Sequence, residues 1–259
     1  GIEGICSVGT SGESPTLSHE EHHKVIEKTI EFAKGKCRIV AGTGANSTAE
    51  AVSLTKAVIA MGGADASLQV TPYYNKATQK GLVASFSAIA DISTKPCILY
   101  NVPSRTGCNL LPAACRELSR HPNIVGLKDA SGNIAQTAET IALCGENFAV
   151  YSGNDDQIVP ILSLGGKGVI SVLSNILPRE TSEMCKKYFA GDVKAAAKMQ
   201  LDYFELIKAL FCEVNPIPVK AATAAMGFGE NYVRLPLTPM EKDNEAKLLS
   251  LMNAAGINV

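Results

Sequence analysis

No CxxC pair occurs among the eight cysteines, the lysines and arginines form no cluster, and no apolar run approaches the length needed to span a bilayer. Each absence removes a class of function. With a formal net charge of −1, the chain lacks the basic footprint of a nucleic-acid binder. Without a long apolar run or a visible signal peptide, it carries no sign of membrane insertion or secretion. Several cysteines sit in apolar stretches, where a free thiol behaves as a small hydrophobe. The length and apolar content remove the need for disulfide staples. A reducing, cytoplasmic setting is expected. Short repeats, low-complexity tracts and flexible linkers are missing too.

What is present is enough to bury a large core: 259 residues, 46% hydrophobic and 19% charged. Short apolar runs end near Val8, Ala41, Val70, Tyr100, Lys128, Ser152 and Ser171, spaced by roughly the 30 residues of a βαβ unit. Their lack of alternation, as in Ile39-Val40-Ala41 and Cys97-Ile98-Leu99, suits a parallel sheet covered on both faces. Between them lie helical patterns with clear ends. Ser18 with Glu21 and Ser47 with Glu50 read as capping boxes, Gly35 and Gly62 as stops, and Pro178 and Gly191 bracket a later helix. Beyond Pro178 only helices are expected. Strict β–α alternation leaves two architectures, an open doubly wound sheet or an eight-stranded barrel. Seven strands are counted, and Gly1 runs almost at once into the first. The expectation is a barrel whose first βα unit precedes Gly1, and a chain of this length that folds or assembles poorly alone.

In a barrel, chemistry gathers at the C-terminal strand ends. Those ends carry Gly9-Thr10-Ser11-Gly12-Glu13, Thr71-Pro72-Tyr73-Tyr74-Asn75, Tyr100-Asn101 with Ser104-Arg105-Thr106-Gly107, Lys128-Asp129, Ser152-Gly153 and Ile170-Ser171. Lys128 has two readings. It is a strand-end lysine reaching water by its stem, or a half-desolvated amine able to attack a ketone. The Gly9–Glu13 turn is an ordinary βα connection or an anion nest. Gly42-Thr43-Gly44 and Gly165-Gly166-Lys167-Gly168 depart from dinucleotide and Walker patterns and read as tight turns. His19 and His22 share a helix face, but a third ligand and an HExxH pattern are missing, so no metal is expected. Taken singly, Tyr73, Tyr74, Tyr100 and Arg105 each suit a packing or surface role.

Taken together, five motifs resemble the 4-hydroxy-tetrahydrodipicolinate synthase (dihydrodipicolinate synthase) family: Gly9-Thr10-Ser11-Gly12-Glu13-Ser14, Thr71-Pro72-Tyr73-Tyr74-Asn75, Tyr100 through Gly107, Gly126-Leu127-Lys128-Asp129 and Asn215-Pro216-Ile217-Pro218-Val219-Lys220. They fall in the family's order along the whole chain. The resemblance implies a class I aldolase on an α/β (β/α)8 TIM barrel with a C-terminal helical domain, divided here as 1–190 and 191–259. It also implies a homotetramer without a cofactor. Lys128 would form the Schiff base with pyruvate, and Tyr100 would pass protons. Thr10 and Tyr74 would complete a hydroxyl relay, Tyr74 from a neighbouring subunit. Thr10 and Ser11 would hold the pyruvate carboxylate; most relatives have threonine where Ser11 stands. Gly153 and Ile170 would line the pyruvate pocket, and Arg105 would bind the carboxylate of aspartate semialdehyde. Pro15, His19, His22, Asn46, Glu50 and Tyr73 match positions at which lysine-inhibited relatives bind L-lysine. A sister aldolase acting on N-acetylneuraminate or a 2-keto-3-deoxy sugar acid shares Lys128 and Tyr100. Arg105 speaks against it, since it suits a short second carboxylate. A non-catalytic binding barrel is the rival of another class.

Overall fold

The computed structural model describes residues 1–259. Seven strands form one sheet: β1 (Gly4–Ser7), β2 (Arg38–Gly42), β3 (Ala66–Val70), β4 (Cys97–Asn101), β5 (Ile124–Asp129), β6 (Ala149–Ser152) and β7 (Gly168–Val169). They are laid side by side in chain order, every neighbouring pair parallel. Each expected strand is found, ending within two residues of its expected position. β1 and β7 are the sheet's two edges, where an eighth strand would lie in a closed barrel.

Helices fill the connections: α1 (His19–Ala33), α2 (Thr48–Met61), α3 (Gln79–Asp91), the short α4 (Pro103–Thr106), α5 (Pro112–Leu118), α6 (Ile134–Cys144) and α7 (Ile158–Ser163). The chain then continues only as helices, α8 (Pro178–Phe189), α9 (Val193–Asp202), α10 (Phe204–Ala209), α11 (Ile217–Ala225) and α12 (Lys242–Ala254). This is the alternating α/β architecture of the TIM barrel with a helical C-terminal part. Ser47 caps α2 by accepting from the Glu50 amide at 3.4 Å, and Gly62 ends it at φ 68°. Pro178 opens α8 where a missing N–H costs nothing, and Gly191 follows its end at φ 87°.

The chain forms two compact units. One comprises Glu3–Gly9 and His19–Ile170 and contains the whole sheet; the other comprises Gly1–Ile2, Thr10–Ser18 and Ser171–Val259. The boundary read from the sequence at 190/191 falls inside the second unit, between α8 and α9. That unit has its own core, with Leu173, Leu210, Ala222, Leu248 and Met252 fully enclosed.

In the sheet unit the strand side chains divide between two clusters. Cys97, Leu99, Ile124, Leu127 and Val150 join Leu82, Phe86 and Leu118 of α3 and α5 in a helix-covered core. Ala66, Leu68, Ile98 and Tyr100 form a smaller cluster on the opposite face, with Val125 packed against it. Ile124 and Leu127 lie three residues apart yet share one face, which regular alternation forbids. The register explains this. Cys97 pairs with Ile124 but Ile98 pairs with Gly126, so β5 carries one extra residue. That bulge reverses the parity of everything after it and turns Lys128 to the face of Tyr100.

Gly126 is required at the bulge. A Cβ there would meet the Ala149 carbonyl oxygen of β6 at 2.3 Å, a backbone atom that cannot rotate away. Gly107, by contrast, has φ 65° and open space around it, so alanine there pays only the left-handed backbone cost. In urea titrations, Gly107→Ala is expected to lose about 1 kcal/mol and Gly126→Ala about 3 kcal/mol. Equal losses would contradict the close β5–β6 approach.

Candidate active site

The bulge sets Lys128 directly opposite Tyr100 on one side and Tyr151 on the other. Lys128 Nζ lies over the Tyr100 ring, 4.3 Å from its centroid. The lysine is half-buried and Tyr100 is 7% exposed. Burial pushes the Cys6 thiol up, against the pull of the Lys128 charge, and raises the Tyr151 hydroxyl too. Raised in this way, both groups favour their neutral, protonated forms.

The following residue, Asp129, is buried and anchors the loop after β5. Its carboxylate accepts from the Ser131 amide at 3.0 Å, from Ser131 Oγ at 3.1 Å and from Thr137 Oγ1 at 2.5 Å. Gly153 N donates to Asp129 O at 2.7 Å and Ile170 N to Ser152 O at 2.9 Å, extending the ladder past the strand ends. A Cβ on Gly153 would come within 2.8 Å of the Ala130 Cβ. Gly153 and Ile170 therefore present main chain at the same rim as Lys128.

Pro103 presets the first turn of α4, and Arg105 is exposed on that turn. Buried Thr106 receives Thr71 Oγ1 at 3.3 Å, and its carbonyl accepts the Tyr74 amide at 3.3 Å. The tyrosine loop is thus tied to the arginine turn. Tyr74 is 90% exposed and held at φ 73°, a left-handed conformation costly for an aromatic residue.

A second group of expected residues also meets. His19 Nε2 lies 2.9 Å from Glu50 Oε1. Burial raises the Tyr73 hydroxyl, helped by the Glu50 charge and opposed by its hydrogen bond to the Asn46 backbone. His22 is 6% exposed, and burial followed by the His23 charge holds its imidazole below its usual value. Glu50, which the sequence pattern assigned to a helix cap, therefore also joins two residues of a separate polar cluster.

Gly42 and Gly44 lie hard against neighbouring backbone. A Cβ at either would collide with the backbone of Val8 or Val70, at 2.5 and 2.3 Å respectively. Close strand approach is the reason for these glycines, where a tight turn was expected.

Thr10, Ser11 and Pro15 belong to the other unit. There Thr10–Gly12 and Ser14–Thr16 are 3₁₀ turns joined by Glu13, itself left-handed at φ 53°. Ser11 Oγ lies 3.2 Å from Asn215 Oδ1 and 3.1 Å from Asn215 Nδ2. The Glu13 carboxylate accepts from Lys220 Nζ and from the Arg234 amide. Burial pushes this carboxyl up, but those hydrogen bonds and the two cationic charges outweigh it and hold it below its usual value. The roles of Asn215 and Lys220 escaped the sequence reading, although both stand in a motif it singled out.

Comparison with known proteins agrees with this geometry. The Dihydrodipicolinate synthetase family model matches residues 1–255. A 4-hydroxy-tetrahydrodipicolinate synthase of Lachnoclostridium phytofermentans is 53% identical over 251 residues, covering 96% of this chain and 85% of its own. The pyruvate complex of a chloride-inhibited dihydrodipicolinate synthase from Acinetobacter baumannii is 46% identical, with a TM-score of 0.96 over 99% of this chain and 88% of its own. The lysine-bound enzyme of Cyanidioschyzon merolae is 41% identical, with a TM-score of 0.96 over 98% of this chain and 87% of its own. With a family match across nearly its whole length and relatives this similar, the chain belongs to the dihydrodipicolinate synthetase family.

Proposed function

We propose that the chain condenses pyruvate with L-aspartate 4-semialdehyde to give 4-hydroxy-tetrahydrodipicolinate, the entry to diaminopimelate and lysine biosynthesis. The observation that carries this reading is the Lys128 amine held 4.3 Å over the Tyr100 ring at the strand C-termini. The neutral amine adds to the pyruvate ketone, and loss of water gives an iminium. The iminium draws electrons from the neighbouring methyl group, which releases a proton and becomes an enamine carbon. That carbon forms a bond to the aldehyde of the second substrate. The substrate's own amine then displaces Lys128, closing the ring and freeing the enzyme.

Each step moves a proton, and we assign the relay to Tyr100, Thr10 and Tyr74. Tyr74 stands outward at φ 73° and 90% exposed, which suits a residue acting in a neighbouring subunit of a homotetramer. Thr10 and Ser11 bind the pyruvate carboxylate, Gly153 and Ile170 line its pocket with main chain, and Arg105 takes the carboxylate of the semialdehyde. The pyruvate complex of the Acinetobacter baumannii relative supports this choice of first substrate. We place the reaction in the cytoplasm, in keeping with eight free cysteines.

The cluster of His19, His22, Asn46, Glu50 and Tyr73, together with Pro15, is assigned to feedback binding of L-lysine. A carboxylate beside imidazole and phenol suits an amino acid bearing two ammonium groups. The lysine-bound Cyanidioschyzon merolae relative supports the assignment.

Lys128→Ala is expected to reduce turnover of pyruvate with aspartate semialdehyde by roughly 10³-fold or more, and Tyr100→Phe by on the order of 10²–10⁴. A coupled assay checks both, with pyruvate and N-acetylmannosamine as the control pair. Preference for the control pair would replace this reading with that of a sugar-acid aldolase. Millimolar L-lysine is expected to inhibit the wild type, and Glu50→Ala to weaken that inhibition. Uninhibited turnover in lysine would remove the effector site.

A further inference from the structure

The Asn215–Lys220 segment lies far along the chain from the Thr10–Ser11 turn, yet it supplies two of the side chains that hold it. Asn215 is 5% exposed and directs its whole amide at Ser11, with Oδ1 3.2 Å and Nδ2 3.1 Å from Oγ. Lys220, in α11, donates to Glu13 Oε2, and the Arg234 amide takes Oε1 at 2.9 Å. Glu13 in turn donates its amide to Thr10 O at 3.1 Å while sitting at φ 53°. A left-handed non-glycine residue persists only where its surroundings over-determine it. Here a paired carboxylate and a backbone hydrogen bond do so.

We propose that Asn215 and Lys220 are positioning residues for the carboxylate-binding turn, an inference that rests on the role given above to Thr10 and Ser11. The amide chemistry makes the Asn215 role specific. A serine hydroxyl has one proton and two lone pairs. In the free turn its proton can rest on Asn215 Oδ1. When a substrate carboxylate binds, the proton turns to the carboxylate while Asn215 Nδ2 continues to donate into the Ser11 oxygen. The amide therefore serves both states and never leaves Ser11 unanchored. An aspartate at this place would only accept, and would compete with the substrate for the serine proton. Lys220 acts through Glu13. It pairs with a carboxylate whose side chain is 11% exposed; without Lys220, Arg234 alone would offset that negative charge beside an anion site.

The test is steady-state kinetics on the full chain with both substrates varied. Asn215→Ala is expected to raise the pyruvate KM about tenfold, with the semialdehyde KM and kcat changing less than twofold. Asn215→Asp is expected to raise it further. Lys220→Met should also raise the pyruvate KM, and adding Glu13→Gln should recover part of that loss by removing the stranded charge. The Lys220 and Glu13 variants carry the test if Asn215 variants do not fold. Pyruvate KM values within twofold of wild type, equal shifts for both substrates, or no recovery in the Glu13 and Lys220 double variant would overturn the positioning role while wild-type turnover stands. A wild-type chain that does not consume pyruvate would overturn the proposed function itself, and the positioning role with it.

Discussion

One extra residue in β5 is the constraint on which the site depends. Between Ile124 and Gly126 the strand slips by one place against β4, and Lys128 arrives on the face of Tyr100. Without that slip, the side chain following Leu127 would follow the parity of Ile124 and enter a core made of Leu82, Phe86 and Leu118. An ammonium enclosed there would lose its water with no partner to replace it. The bulge thus separates a lysine that would destabilise the fold from one that stands over the Tyr100 ring. It requires a glycine at 126, because the neighbouring carbonyl of Ala149 occupies the space a Cβ would need. Fold and function meet in that glycine.

The hydroxyl turn shows a related design in the other unit. Thr10 and Ser11 sit on a short, strained loop, and such loops are soft unless something holds them. Asn215, Lys220 and Arg234 hold this one by side-chain and backbone hydrogen bonds. Lys220 stands on α11, where packing has already reduced its freedom, and Asn215 and Arg234 hold the turn from outside the helices. Residues far along the chain thereby hold a turn near its front.

Much of this was legible in the residues. Apolar runs without alternation announced a parallel sheet, and the strand ends were found within two residues. Ser47, Gly62, Pro178 and Gly191 mark helix ends by local chemistry that acts within one turn, so sequence alone reveals it. The motifs around Tyr100 and Lys128 pointed to one family, and the structure pairs those two residues directly. What escaped is non-local. A bulge changes parity by a single residue and leaves an apolar run looking the same. Asn215 and Ser11 are 204 positions apart, Lys220 and Glu13 are 207, and no pattern in either segment names its partner. Gly42 and Gly44 were read as turn glycines because a sequence does not display a neighbouring strand's backbone. For Glu50 the residues offered two readings, a helix cap and a position shared with His19. The fold brings both together, with the Glu50 amide on Ser47 and its carboxylate at His19.

The central claim is that the amine of Lys128, aimed by β5 at the face of Tyr100, is the group that takes pyruvate. Borohydride reduction in the presence of pyruvate, followed by peptide mapping, tests it most directly. The account predicts one stable adduct per chain, on the peptide containing Lys128. An adduct on any other lysine, or none while the enzyme turns over, would contradict it.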